Sequence, residues 1–224
     1  MSKEKQFIII AFIVIAVVLI VTLYAVRPFA PKYEIGVKAG DTFTYQMTGV
    51  AESSDFDMVI PENYMDVNRT SHYRIEITKV SYPLVSYIET TLFKNGTIIR
   101  SEATLNVESG ATTGEGGFWG IFVTNLGVGK LSRPAVTTGI TVNATEIRQY
   151  QNGDRQTNFM TASAEFVDVE DETYSRTCTR FTYIHVDKEI GIMVELSERQ
   201  IYNDPQIMLT TTWTLIESNV LQVS

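Results

Sequence analysis

Phe7 to Val26 is a run of 20 residues without one charged side chain. At a helical rise of ~1.5 Å per residue it covers ~30 Å, the thickness of a bilayer's hydrocarbon core. A helix apolar on every side has no face to offer water, so the run reads as a membrane span rather than a core helix. The apolar stretch of a cleaved signal peptide is shorter, ~7 to 15 residues, and ends in a small-x-small site. Here Ala30 follows Pro28 by two positions and Ala25 follows Leu23. The expectation is therefore an uncleaved signal anchor in contact with the lipid bilayer through residues 7–26.

Lys3, Lys5 and the amino terminus flank one end of the run, and Arg27 and Lys32 the other. The positive-inside bias leans toward a cytoplasmic tail of residues 1–6 in the cell membrane, with the C-terminal domain extracellular. Pro28 and Pro31 restrict residues 27–39 to extended conformations, the character of a short stalk, and place the domain at 40–224. Removing Lys3, Lys5 and Glu4 from the 18 basic and 26 acidic residues leaves 16 and 25 outside the membrane, a net charge of −9. Such a domain is repelled by phosphate backbones and anionic head groups, so no nucleic acid partner is expected. One cysteine forms no internal disulfide, and two histidines build no His-rich centre. Neither metal nor cofactor is expected.

Beyond Gly40 the hydropathy period is two. Phe43, Tyr45 and Met47 alternate with Thr42, Thr44, Gln46 and Thr48, and Ile207, Leu209, Trp213 and Leu215 alternate with Met208, Thr210, Thr212 and Thr214. This is the pattern of half-buried strands. Asn95-Gly96 between two such runs predicts a tight hairpin, on the premise that both central positions take positive φ. Asn152-Gly153 and Asp187-Lys-Glu-Ile-Gly191 predict two more. The fold class expected is mainly β, about nine antiparallel strands after the N-terminal transmembrane helix. They form either one strongly curved sheet, a half-barrel, or a β-sandwich.

Gly110 to Gly129 interrupts the alternation with seven glycines and the apolar cluster Phe118, Trp119, Ile121, Phe122, Val123 and Leu126. The spacing of Phe118, Phe122 and Leu126 fits one face of a short helix near 117–127, a flap or plug over the open side of a curved sheet. A long hairpin loop with a buried aromatic anchor fits equally. No Gly-Lys-Ser/Thr follows, so it is not a phosphate loop.

Several motifs together resemble a family of membrane-anchored archaeal extracellular β-domain proteins of uncharacterised function. They are Gly36-Val37-Lys38-Ala39-Gly40-Asp41-Thr42-Phe43-Thr44-Tyr45, Asn125-Leu126, Val142 to Glu146, Asn152 to Asn158, Asp187 to Ser197, and Glu217 to Val220. The usual Thr of the Asp-Lys-x-Thr-Gly turn is Ile190 here, and a Trp common after Asn-Val is Leu221. The aromatic strand, Asp-Lys-x-x-Gly turn and following apolar strand are also similar to the LolA/LprG-like lipoprotein-carrier folds. That likeness implies a curved sheet with a helical plug, an apolar ligand such as an acyl chain, and a lid or cavity at Phe118, Trp119 and Phe122.

Other chemistry is sparse. His72 and His185 stand on expected strands with no imidazole or thiol beside them, the position of a hydrogen-bonded strand histidine more than of a catalyst. Cys178 alternates with Thr177 and Thr179, as a small buried apolar residue does. The acidic runs Asp168 to Glu172 and Asp55, Asp57 and Glu62 lack the spacing of a calcium loop and read as exposed loops. Asn68-Arg-Thr70, Asn95-Gly-Thr97 and Asn143-Ala-Thr145 are possible glycosylation sites, with Asn95 best placed at a hairpin tip. These features imply a non-enzymatic surface domain binding an apolar ligand or an envelope protein. A pilin-like filament subunit is the alternative, although Lys3-Glu-Lys-Gln-Phe7 lacks the Gly or Ala of a prepilin cleavage point. A surface hydrolase would need His72 or His185 within reach of a carboxylate and a hydroxyl.

Overall fold

The structure is a computed structural model that describes residues 33–53, 62–116, 118, 120, 122–130, 140–150, 153–171, 174–203 and 206–221. The run at 7–26, Trp119, Asp55, Asp57 and Glu172 lie outside these residues. Among the described residues no helix is long and apolar enough to cross a membrane.

Ten strands form one sheet: β1 (Thr42–Ser53), β2 (Thr70–Ser81), β3 (Leu84–Phe93), β4 (Ile98–Asn106), β5 (Thr112–Gly114), β6 (Val142–Tyr150), β7 (Gly153–Asp171), β8 (Tyr174–Asp187), β9 (Met193–Asn203) and β10 (Gln206–Ser218). Among the described residues one helix, α1 (Glu62–Arg69), precedes β2. The strand order β5-β4-β3-β2-β1-β10-β9-β8-β7-β6 makes two five-stranded meanders joined where β1 pairs with β10. Every pairing is antiparallel and the sheet is open, with β5 and β6 at its edges. The two-sheet sandwich is therefore corrected to a single sheet. Its threonine-rich strands pair edge to edge through ten members instead of stacking. Glu62, read as part of an exposed loop, begins α1.

The turn chemistry acts much as the residues suggest. Gly96 takes φ 85°, and its N–H meets the Phe93 carbonyl at 2.9 Å. Asn95 keeps a negative φ, so this hairpin is a three-residue turn closed by a left-handed glycine rather than one with two positive φ values. Asp187 Oδ1 accepts from the N–H groups of Glu189 and Ile190, both at 3.0 Å, and Gly191 at φ 74° returns the chain into β9.

One continuous apolar surface follows from cross-strand pairing. Leu105 faces Val85, Ile77 faces Tyr87, Ile75 faces Phe43, Tyr45 faces Leu215, Trp213 faces Leu196, Leu196 faces Ile184, and Ile184 faces Met160. These residues share one core with Phe118, Phe122, Val123 and Leu126. A second cluster, Cys178, Tyr202, Ile207 and Leu209, fills the far end, with the cysteine fully buried.

The β5 to β6 connection starts at one edge of the sheet and ends at the other, so it must cross a face. Its described residues are not helical. Phe122 and Asn125 take φ 56° and 54°, which no α-helix accommodates. Three N–H groups of this segment are spent on distant partners: Phe122 on Gly191 O at 2.7 Å, Thr124 on Glu34 O at 2.9 Å, and Asn125 on Lys188 O at 2.7 Å. The expected helical plug is thus an irregular strap, because tertiary acceptors take the bonds a helix would close internally. Ile35 bridges Val123, and the compact unit begins at Tyr33, so residues 33–39 belong to the folded domain rather than a free stalk.

Candidate functional site

The strap meets an aromatic floor. Tyr45, Tyr73 and Tyr87 stand on three adjacent strands, and Phe118 sits over them with ring centroids at 5.5, 6.3 and 6.2 Å. Phe122 lies 6.0 Å from Phe118 and 5.6 Å from Tyr87, and Trp213 packs edge-on to Tyr73 at 4.8 Å. Each such pair adds ~0.5 to 1.5 kcal/mol beyond area burial. Phe118 is 3% exposed and Phe122 fully buried. The two described members of the expected lid therefore fill the face beneath them.

A carboxylate lies in this apolar surface. Glu89 shares β3 and its parity with Val85 and Tyr87, is 6% exposed, and accepts the Phe118 N–H at 2.9 Å. Burial first, and then the adjacent Glu89 carboxylate, hold the Tyr73 phenol far above its usual range. Burial does the same to Tyr45, whose Oη donates to the Met193 carbonyl at 2.7 Å. Both phenols are neutral hydrogen-bond donors. At the strap's other end Asn158 Nδ2 donates to the Leu126 carbonyl at 3.0 Å, and Thr145 Oγ1 holds Asn158 Oδ1 at 2.9 Å. A charge at a core-facing position of an alternating strand is the sequence signal that marks Glu89.

The opposite side of β8 carries a polar cluster. His185 lies between Ile184 and Val186, so strand alternation points it away from the core. It stacks on Phe159 at 4.9 Å and faces Glu195 across the β8–β9 pair. Arg148 Nη1 donates to Glu195 Oε2 at 2.6 Å, and its Nη2 to His185 Nε2 at 2.9 Å. A guanidinium only donates, so Nε2 is an acceptor and the imidazole is neutral. Burial, reinforced by Arg148, lowers the His185 pKa against the opposing pull of Glu195 and Glu146. Arg148 and Glu195 also line a cleft of about 150 Å³ with Tyr150 and Thr214. The lone pair a general base needs at Nε2 is engaged by Arg148. His72 is exposed, its Nδ1 2.9 Å from Ser71 Oγ.

Asn68 and Asn95 both line a cleft of about 500 Å³ between the end of α1 and the β3–β4 turn, and Asn143 lies on the edge strand β6. Among the described residues, no three His, Cys, Asp or Glu side chains gather as metal ligands. Comparison with protein families, with characterised proteins and with solved structures finds no match to this chain.

Proposed function

We propose that this chain is a non-enzymatic, extracytoplasmic β domain, tethered by one membrane span at residues 7–26, that holds an apolar, lipid-like ligand where the strap now lies. One observation carries the reading: an aromatic floor of Tyr45, Tyr73, Tyr87 and Trp213 is covered by Phe118 and Phe122 on a segment without regular secondary structure. Such a segment exchanges its few tertiary hydrogen bonds more readily than a sheet strand does, so an acyl chain can take the place of the phenyl rings. The sheet is bowed in this reading, a half-barrel. Tyr45 reaches the Met193 carbonyl two strands away, ~9.5 Å across a flat sheet, a reach that bending toward the strap shortens.

Both tryptophans of the chain, Trp119 and Trp213, belong to the strap and the floor by sequence or by contact. Brominated fatty acid titrated into detergent-solubilised full-length protein should quench tryptophan emission saturably, and native mass spectrometry should show a lipid-sized adduct. An unquenched spectrum together with an adduct-free mass overturns the ligand reading. Release of the full-length protein from vesicles by alkaline washing overturns the anchor.

A further inference from the structure

The geometry points to Asn95 as the one sequon, of the three at Asn68, Asn95 and Asn143, that accepts an N-linked glycan in the folded chain. The side-chain amide sets Asn68 apart, and strand pairing sets Asn143 apart. Asn68 spends both of its polar atoms on the Gly49 backbone: Oδ1 accepts from the N–H at 2.9 Å and Nδ2 donates to the carbonyl at 3.0 Å. Its partner hydroxyl, Thr70 Oγ1, donates to the Asp66 carbonyl at 2.8 Å, and Thr70 is 5% exposed. A transferase must reach both the asparagine nitrogen and the hydroxyl, and neither is available without separating Asn68 from β1.

Asn143 is pinned differently. Its Oδ1 accepts from Thr161 N at 2.8 Å and from Thr161 Oγ1 at 3.3 Å, and Thr145 Oγ1 is turned toward Asn158. Asn143 itself is exposed at the bulge between Val142 and Ala144, but Ala144 and Thr145 pair with Phe159 and Asn158 of β7, so presenting the whole sequon to a transferase breaks ladder bonds.

Asn95 has neither restraint. Asn95, Gly96 and Thr97 are all exposed at the β3–β4 tip. Asn95 Oδ1 accepts the Thr97 N–H at 2.9 Å, a local Asx turn that leaves Nδ2 without a partner among the described residues. The adjacent cleft is bordered by Asp66, Arg69, Phe93 and Lys94. The lining thus combines one aromatic residue with charged ones, of which Asp66 and Arg69 pair with each other at 3.1 Å. In the transfer, the Asn95 amide nitrogen attacks the anomeric carbon of a polyprenyl-pyrophosphate-linked glycan. The carbon–oxygen bond to pyrophosphate breaks, the lipid pyrophosphate leaves with the electron pair, and the transferase takes one Nδ2 proton. The proposal shares with the function above only the extracytoplasmic location, and its test requires no bound apolar ligand.

The test is to incubate the folded full chain in detergent with a single-subunit oligosaccharyltransferase and a short polyprenyl-pyrophosphate glycan. Unfolded peptides spanning each sequon are treated in parallel, and site occupancy is read by peptide mass spectrometry. Relative to its own peptide, Asn95 should exceed Asn68 and Asn143 by at least about tenfold in the folded chain, and Asn95→Gln should abolish nearly all modification. Comparable occupancy of the three sites in the folded chain overturns the inference. So does an Asn95 modified in its peptide but bare in the protein.

Discussion

Arg155 holds Asp187 through two parallel hydrogen bonds, Nε to Oδ2 at 2.6 Å and Nη2 to Oδ1 at 3.0 Å, while the same carboxylate caps the β8–β9 turn. Asp187 is fully buried, and the Asp187 hydrogen bond raises the Arg155 pKa. That turn in turn receives the strap through Gly191 and Lys188, so one ion pair organises the contact between the hairpin and the segment across the sheet. Arg155→Ala leaves a buried carboxylate unpaired and should cost ~2 to 4 kcal/mol, softened because Arg155 is itself partly solvated. Asp187→Ala, which also orphans the two turn N–H groups, should cost more. Urea midpoints measure both, and an Asp187→Ala protein as stable as wild type would show the pair to be ornamental.

Gly191 should tolerate no side chain. A Cβ there would lie 2.5 Å from Val123 N and Val123 O, at φ 74°. Gly40, at φ 93°, has nothing within 4 Å. Gly40→Ala should cost ~1 kcal/mol from backbone strain alone, whereas Gly191→Ala should cost ~3 kcal/mol or more and release the strap. Calorimetry of the two variants checks the difference, and equal losses would place the strap further from the turn than the structure has it.

Glu89 fastens the front of the strap. Glu89→Ala strands the buried Phe118 N–H and should destabilise by ~1 to 3 kcal/mol, while Glu89→Gln keeps an acceptor and should cost ~1 kcal/mol or less. Hydrogen exchange at residues 118–126 should accelerate in the alanine variant ahead of exchange in β1 and β2. Uniform acceleration across the domain would instead mean that the strap opens only with global unfolding.

His185 makes stability fall with acid. Its folded pKa is depressed by burial and by Arg148, so the unfolded chain binds the proton more readily. Stability is therefore complete above the unfolded value of ~6.5 and declines as pH drops through the interval down to the folded pKa. Urea midpoints between pH 7.5 and 5.5 should fall more steeply in wild type than in His185→Gln. A variant with the same slope would assign the acid sensitivity to other groups.

Strand character, antiparallel pairing and the three hairpins were legible because they rest on local chemistry. Alternation along Phe43, Tyr45 and Met47 or along Ile207 and Leu209 requires only neighbouring residues, and Gly96, Gly153 and Gly191 all take the positive φ expected at their turns. The helix Glu62–Arg69 was obscured because its acidic residues match a solvated loop equally well. For a related reason the residues of the strap fit a helical plug and a loop with a buried aromatic anchor equally, and the structure takes the irregular form. Phe118, Phe122 and Leu126 have helical spacing, yet Gly191, Glu34 and Lys188 supply the hydrogen-bond partners that decide its backbone.

The amino-acid order alone determined an acidic, β-rich domain with one apolar side per strand and a 20-residue uncharged run before it. Those properties follow from side-chain period, turn residues and charge, none of which depends on distant contacts. Only the tertiary structure decided that β1 joins β10, that Phe118 rests on Glu89 and three tyrosines, and that Arg148 reaches His185 and Glu195. Each of these links residues far apart in the chain, and their register is selected by the combined burial of the whole sheet face rather than by any segment within it.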